Sequence, residues 1–134
     1  MLFYSFASQE ELRKAGGCLL EMQFCRWPNH TELEKLVCYY DLWKLDSLYF
    51  YDESPFYREY GHIFNCGVYA NLESGPLDFY GINYYAPSLV DSIIEKVLAD
   101  KPMEYEILVE WLRKAKQYNG FYFYGILKKS RYQV

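Results

Sequence analysis

The chain has 134 residues and a formal net charge of −4 at pH 7, which suits one folded domain, residues 1–134, with one hydrophobic core. Half of its residues are apolar and about a quarter are charged, so the composition excludes an intrinsically disordered chain. The excess of negative charge disfavours nucleic acid as a partner. No apolar stretch is long enough to span a membrane, and residues 1–14 lack the basic and apolar regions of a signal peptide.

Four cysteines stand at irregular spacing without a C-x-x-C pair, so we predict reduced core thiols rather than disulfides. Reduced thiols, like the missing signal peptide, favour a cytoplasmic location. Only two histidines occur, His30 and His62, and neither has zinc-binding spacing. We therefore predict no metal and no other cofactor. The cysteines are Cys18, Cys25, Cys38 and Cys66.

The first predicted element is a helix that begins after Ser8. Ser8 and Glu11 fit a capping box, in which each side chain accepts a hydrogen bond from the backbone at the helix start. Gly16 and Gly17 weaken this helix, because each glycine costs about 1 kcal/mol relative to alanine. The sequence leaves open whether residues 17–24 continue the helix or form a strand.

A second capping box, formed by Thr31 and Glu34, precedes apolar residues spaced i, i+3, i+4 and i+7. This pattern predicts a helix of roughly a dozen residues that begins at Glu32. The aromatic and aliphatic residues at 47–51 favour a strand. Residues 52–61 contain Pro and Gly and are predicted to form a loop.

The strongest hairpin signal lies between residues 62 and 86. Residues 62–72 alternate between apolar and polar side chains, 73–76 (ESGP) supply turn residues, and 77–86 supply a return strand. Gly67 and Gly81 fall within these strands, where glycine indicates a bulge or close packing by a neighbour.

Two helices and a strand complete the chain. Ser88 is predicted to cap a helix whose apolar residues cover half of its surface, so it must lie on a sheet or another helix. A helix over about 103–118 has acidic residues early and basic residues late, which matches its dipole. Asn119-Gly120 ends it, and a strand follows. The apolar half of the helix that begins after Ser88 contains Leu89, Val90, Ile93, Ile94, Val97 and Leu98.

The predicted order is therefore α-α-β-β-β-α-α-β. Strands that are adjacent in sequence favour antiparallel pairing, so we expect an α+β fold with helices packed against one antiparallel sheet. The tetrapeptide FYGI occurs at 79–82 and again at 123–126. We interpret both copies as strands of this sheet, because short apolar runs are far more often core strands than functional motifs.

No catalytic motif was found: the sequence lacks G-x-S-x-G, a P-loop and G-x-G-x-x-G. His62 and Cys66 are four residues apart on a predicted strand, about 13 Å by strand rise, which is too far for a nucleophile and its base. Aromatic strands also suggest RNA binding as a function. The RNP signature is absent, however, and the net charge is negative, whereas an RNA-binding surface is basic. We predict that the protein is not an enzyme.

Segment 39–60 holds the most informative surface pattern, because its tyrosines are interspersed with carboxylates. Tyr and Trp are enriched at protein interfaces, and carboxylates speed encounter with a basic partner. Sixteen tyrosines also exceed what we expect a core of this size to hold. The predicted partner-binding residues are Asp46, Tyr49, Tyr51, Asp52, Glu53, Tyr57 and Glu59.

An acidic, tyrosine-rich, single-domain chain without a catalytic motif resembles the immunity proteins of bacterial contact-dependent inhibition and other polymorphic toxin systems. The segments GINYYAPSLVDSIIEKVL (81–98) and EILVEWLRKAKQYNGFYFYGI (106–126) are similar in character to such domains. The resemblance implies a protein that binds a cognate toxin domain, often a nuclease, and blocks its active site. The alternative is a small enzyme or ligand-binding protein with an aromatic-lined cavity between sheet and helices.

Overall fold

The computed structural model describes residues 1–16, 19–39, 41, 43–51 and 55–125, which form an α+β domain. Six strands form one antiparallel sheet, which confirms the predicted fold class. The strands are β1 (Leu19–Phe24), β2 (Leu48–Tyr51), β3 (Gly67–Val68), β4 (Ser74–Gly75), β5 (Ile82–Tyr85) and β6 (Phe121–Tyr124). Their order across the sheet is β2-β1-β6-β5-β3-β4.

Five α-helices in the described residues pack against the sheet. They are α1 (Gln9–Ala15), α2 (Leu33–Leu36), α3 (Phe56–Tyr60), α4 (Val90–Asp100) and α5 (Tyr105–Ala115). The last three share the largest core cluster with one face of the sheet, which we call the helical face. Buried residues of α1 and α2 pack against the opposite face. No helix in the described residues combines the length and the apolar character that crossing a bilayer requires.

Strand β1 resolves the question that the glycine pair left open for residues 19–24, whereas residues 17 and 18 lie outside the described residues. Helix α1 ends at Ala15, Gly16 follows with a φ of 66°, and the chain is extended from Leu19. The predicted cap at Ser8 is confirmed, because its hydroxyl accepts the Glu11 N–H at 3.2 Å. All six residues of β1 are buried, so the strand is covered on both sides.

The central strand β6 explains the run of four aromatic residues at 121–124. Alternate side chains of a strand point to opposite faces. Phe121 and Phe123 belong to the core of the helical face, whereas Tyr122 and Tyr124 pack on the opposite side, which we call the tyrosine face. Burial on both faces therefore requires an uninterrupted apolar sequence instead of an alternating one.

The two FYGI copies differ in structure. In the copy at 79–82, residues 79–81 form a turn and only Ile82 belongs to a strand, so the interpretation of this copy as a strand is wrong for three of its four residues. In the copy at 123–126, Phe123 and Tyr124 belong to β6, and residue 126 lies outside the described residues. The copies meet where the Gly125 N–H donates to the Gly81 carbonyl at 2.8 Å.

Helix α2 is much shorter than predicted: four residues instead of about a dozen. Neither Thr31 nor any other side chain caps it. The Leu36 carbonyl accepts the Tyr122 hydroxyl at 2.8 Å besides the Tyr39 N–H at 3.3 Å, and the Tyr39 carbonyl accepts the Tyr124 hydroxyl at 3.2 Å. Bonds from the sheet therefore replace further helical turns.

Residues 52–61 contain a helix where a loop was predicted. Phe56 and Tyr60 lie one helical turn apart in α3, and both are buried in the core of the helical face. Their rings stack with centroids 4.9 Å apart. Pro55 precedes the helix, where its missing N–H costs nothing.

The predicted hairpin is displaced along the chain. Only Gly67 and Val68 of residues 62–72 form a strand, which pairs with β4 on one side and β5 on the other. The predicted turn at 73–76 thus contributes a strand. The actual turn lies at 69–73, where the Asn71 side chain accepts the Glu73 N–H at 2.9 Å.

Helix α4 forms as its apolar pattern predicts, and α5, Tyr105–Ala115, lies within the range 103–118 that its charge distribution predicts. Val90, Ile93, Ile94 and Val97 are buried against the sheet and α5. One turn of 3-10 helix, Pro87–Leu89, precedes α4, and no side chain caps it, so the predicted cap by Ser88 is wrong.

Alkaline pH is expected to unfold the protein through its buried tyrosines. Burial raises the pKa of Tyr84, Tyr85 and Tyr122 above the usual value near 10. Because the unfolded chain releases these protons first, the contribution of these tyrosines to the free energy of unfolding is constant below about pH 9 and falls as the pH rises past about 10. We expect the tyrosinate absorbance of the buried tyrosines to appear together with the loss of far-ultraviolet circular dichroism in one cooperative step. Ionisation of all tyrosines near pH 10 with unchanged dichroism would contradict this.

Candidate interaction surface

Buried tyrosines hold separate parts of the chain together. Six are buried in the described part of the chain, and the hydroxyls of five donate to backbone carbonyls of distant segments at 2.6–3.2 Å. The core therefore holds six tyrosines, because each ring fills core volume while its hydroxyl finds an acceptor. Others, such as Tyr57 and Tyr80, are exposed, in agreement with the expectation that the core cannot hold all sixteen. The pairs are Tyr60 with Met103, Tyr84 with Asn119, Tyr85 with Phe64, Tyr122 with Leu36 and Tyr124 with Tyr39.

Tyr49 was predicted to contact a partner, but it is fully buried. It belongs to β2 and points to the tyrosine face, where its ring meets Phe6 edge-on at 5.1 Å. Its hydroxyl donates to Glu21 at 3.0 Å. Tyr49 therefore cannot reach a partner in this conformation, and its assignment to the binding face is corrected.

Glu21 is the centre of a buried polar cluster on the tyrosine face. Its Oε2 accepts hydrogen bonds from Gln23 Nε2 (2.9 Å), Ser47 Oγ (2.8 Å) and Tyr49 Oη (3.0 Å). Glu21, Gln23 and Ser47 have almost no exposed surface. A carboxylate buried with three donors ties β1, β2 and the loop before β2 to one another.

Asp46 remains partly exposed, but its carboxylate is already paired. Both of its oxygens contact Arg26 Nη2, at 2.6 and 2.7 Å, and its backbone carbonyl accepts the Trp111 Nε1–H at 2.8 Å. The Arg26 guanidinium also lies 5.3 Å from the centroid of the Tyr118 ring. Asp46 thus fastens the loop before β2 to α5, which leaves little of its charge for a partner.

The remaining predicted residues contact other parts of the protein or lie outside the described residues. Tyr51 is half-buried and meets Tyr4 edge-on at 5.5 Å. Glu59 accepts the Met103 N–H at 2.8 Å, before the start of α5, whereas Asp46 contacts Trp111 in the second half of that helix. Asp52 and Glu53 lie outside the described residues.

Tyr57 alone of the described predicted residues is a well-exposed aromatic, with 53% of its surface accessible. Its ring centroid lies 5.5 Å from that of Phe79, and Tyr80, the next residue, is 73% exposed. Asp78 stands at the start of the same turn. We call Tyr57, Asp78, Phe79 and Tyr80 the Tyr57 patch.

Hydrogen bonds fix the turn that carries the Tyr57 patch. Asp78 Oδ1 accepts the Tyr80 N–H at 2.9 Å. The buried Asn83 accepts the Asp78 N–H at 2.8 Å and donates to the Asp78 carbonyl at 2.9 Å. Sequence reasoning missed Asp78, Phe79 and Tyr80 because their aromatic content favoured a strand. The turn-forming Asp78 and Gly81 were the available signal.

Titratable side chains in the described residues show no arrangement for nucleophilic or metal chemistry. No group of three His, Cys, Asp or Glu side chains in the described ranges could hold a metal ion. His62 is paired with Asp100 on the surface. Burial raises the pKa of the Cys25 and Cys66 thiols, which makes them poorer nucleophiles.

The cysteines agree only in part with the predicted core thiols. Cys25 is buried, Cys66 is half-buried and Cys38 is exposed, so the prediction is wrong for Cys38. All three are free, and Cys18 lies outside the described residues.

Comparison with known proteins adds no relative to this description. No family model, curated protein or solved structure is significantly similar to the chain. The functional argument therefore depends on the surfaces and contacts of this chain.

Proposed function

We propose that this protein is a cytoplasmic immunity protein that binds a cognate toxin domain, a basic nuclease, and blocks its active site. The observation that supports this proposal is the Tyr57 patch, in which two strongly exposed tyrosines flank a partly exposed phenylalanine beside a carboxylate. The protein acts by stoichiometric binding rather than by catalysis.

Exposed tyrosines are suited to such an interface because they bury a large area while losing few side-chain rotamers. The hydrogen bonds of Asp78 and Asn83 hold the turn in place before binding, which reduces the entropy lost on association. Tyr57 and Tyr80 are the proposed anchors.

Negative charge near the patch favours a basic partner. Glu73 is exposed and Asp78 is partly exposed, and both belong to the turns around β4. Together with desolvation, the charges of Asp78 and Glu73 raise the pKa of Tyr69, whose hydroxyl donates to the Pro76 carbonyl. Such carboxylates can occupy the positions of substrate phosphates among the lysines and arginines of a nuclease.

The double variant Tyr57→Ala/Tyr80→Ala is expected to weaken binding to the toxin domain encoded beside this gene by at least about 30-fold, because the loss of even one central tyrosine costs about 2 kcal/mol or more. Calorimetric titration measures the affinity, and nuclease assays at a 1:1 ratio measure protection. Leu45→Ala is the matched control, because Leu45 is 69% exposed and adjoins Asp46, away from the patch.

Two outcomes would contradict different parts of the proposal. Tight binding that the double variant leaves unchanged would show that the Tyr57 patch is not the binding face. Failure of the unmodified protein to bind or protect against the neighbouring gene product would overturn the immunity function itself.

A further inference from the structure

The Tyr57 patch lies directly beside the residue that precedes segment 126–134. Gly125 follows β6, and its N–H donates to the Gly81 carbonyl at 2.8 Å. A Cβ on Gly125 would lie only 2.8 Å from the backbone nitrogen of Tyr80. The backbone at Gly125 therefore packs against the turn that carries the patch, and segment 126–134 begins at that turn.

Carboxylates predominate on the two turns around β4, next to the patch. Residues 63–95 contain no Lys, Arg or His, and neither Glu73 nor Asp78 has an ion-pair partner among the described residues. Arg58 follows Tyr57 on α3, but adjacent residues of a helix do not face each other. The surface beside the patch therefore favours a positively charged ligand.

Segment 126–134 carries the complementary charge. Its sequence, ILKKSRYQV, contains Lys128, Lys129 and Arg131 and no carboxylate side chain, which gives a net charge of +3. An extended residue spans at most about 3.6 Å, so the Lys128 Cα lies within about 11 Å of the Gly125 Cα. Chain connectivity alone therefore keeps the first of these cations close to the patch.

A tyrosine ring beside a carboxylate is a suitable site for such a cation, because the ring face and the carboxylate both attract positive charge. The protein already holds one arginine in this way. Arg26 lies over the ring of Tyr118 and pairs with Asp46. At the Tyr57 patch, Tyr80 and Asp78 offer the same two groups, and no Lys or Arg of the described residues is bound to them.

We propose that segment 126–134 binds the Tyr57 patch of its own protein when no partner occupies the patch. A ligand joined to its site by a short linker acts at an effective concentration in the millimolar range, so even a weak contact forms in most molecules. For its biological consequence this inference rests on the proposed function. The segment presents the cations expected of a basic toxin, so the toxin must displace it and binds less tightly by the fraction of molecules whose patch is free.

The first test compares NMR spectra of the full chain without any partner. The variant Lys128→Gln/Lys129→Gln/Arg131→Gln keeps the chain length and removes the three cations. We expect the signals of Tyr57, Phe79 and Tyr80 to differ between this variant and the unmodified protein. The control Lys35→Gln/Arg113→Gln/Lys114→Gln makes the same charge change on exposed surfaces of α2 and α5 and should leave these signals unchanged.

The second test supplies the segment as a separate molecule, the capped peptide ILKKSRYQV. Titrated into the isotope-labelled variant that lacks the three cations, it should shift the Tyr57, Phe79 and Tyr80 signals in a saturable way. The unmodified protein and the control variant should bind the peptide at least about threefold more weakly, because their own segment competes for the patch. Adding Tyr57→Ala and Tyr80→Ala to the variant without the cations should abolish peptide binding.

The proposal is overturned if the patch signals are the same with and without the three cations, if the control variant shifts them equally, or if the peptide binds elsewhere. Affinity for the toxin separates this proposal from the immunity function. Removing the three cations should tighten toxin binding at least about threefold relative to the control variant, which has the same net charge. A toxin domain that does not bind overturns the immunity function alone, whereas tight binding without any contact between segment and patch overturns only this inference.

Discussion

Replacing Gly120 with alanine is expected to lower the free energy of unfolding by at least about 4 kcal/mol or to prevent folding. Gly120 has a φ of 80°, a conformation that alanine rarely adopts. A Cβ at this position would also lie 2.1 Å from the backbone oxygen of Tyr85. Neither backbone can move aside, because Tyr85 is paired with Phe121 and the Gly120 carbonyl accepts the Cys25 N–H at 3.0 Å.

The matched control is Gly16→Ala. Gly16 also has a positive φ, 66°, but apart from its chain neighbours no atom of the described residues lies within 4 Å of the point that a Cβ would occupy. It therefore measures backbone strain without a collision, and we expect a loss of about 1–2 kcal/mol. Equilibrium unfolding in urea measures both variants. Equal losses would show that the contact with Tyr85 contributes nothing.

Replacing Glu21 with leucine is expected to lower the free energy of unfolding by about 3 kcal/mol. Gln23, Ser47 and Tyr49 would lose their shared acceptor, and the loss of a buried hydrogen bond costs about 1–3 kcal/mol. Gln23 Nε2 keeps its longer hydrogen bond to the Asp41 carbonyl, at 3.4 Å, so its share of the loss is smaller. Removing the buried carboxylate relieves part of its desolvation cost, so the net loss is smaller than the sum of the three.

Glu21→Gln separates the acceptor from the charge. Glutamine keeps one side-chain oxygen in the cluster, so urea denaturation should show a loss of only about 1 kcal/mol. Glu106→Leu, on the exposed surface of α5, should change stability by less than about 0.5 kcal/mol. A leucine variant at position 21 as stable as the unmodified protein would mean that the three donors find other acceptors.

Elements defined by neighbouring residues could be predicted from the sequence. The Ser8 cap involves residues three apart, and the buried stripe of α4 has the period of one helix. Strand β2 follows from its composition. In each case the information lies within a single segment, where periodicity and capping chemistry act.

Features that depend on distant residues could not be predicted. The length of α2 is limited by hydroxyls of Tyr122 and Tyr124, more than eighty residues away in sequence. The burial of Tyr49 likewise depends on Phe6 and Glu21, which no local pattern places beside it. Tyrosine is ambiguous in this respect, since its ring suits a core and its hydroxyl suits an interface.

The candidate surface was predicted only in part, for the same reason. Tyr57 is exposed as expected, but its neighbours Phe79 and Tyr80 come from a different part of the chain. The carboxylates of Asp46 and Glu59 were expected to face a partner, yet each already binds a group of its own protein. The sequence shows that a carboxylate is present, but it leaves open which group that carboxylate contacts in the folded protein.

The position of β6 has a consequence for biosynthesis. It is the last of the six strands along the chain, yet it separates β1 from β5 in the middle of the sheet. A ribosome that adds about 5–20 residues per second needs roughly 5–20 s to proceed from β1 to β6. During that interval the nascent polypeptide exposes unpaired strand edges and aromatic side chains that β6 will later cover. We therefore expect its yield in the cell to depend on chaperones that bind these surfaces until β6 has been synthesised and can join the sheet.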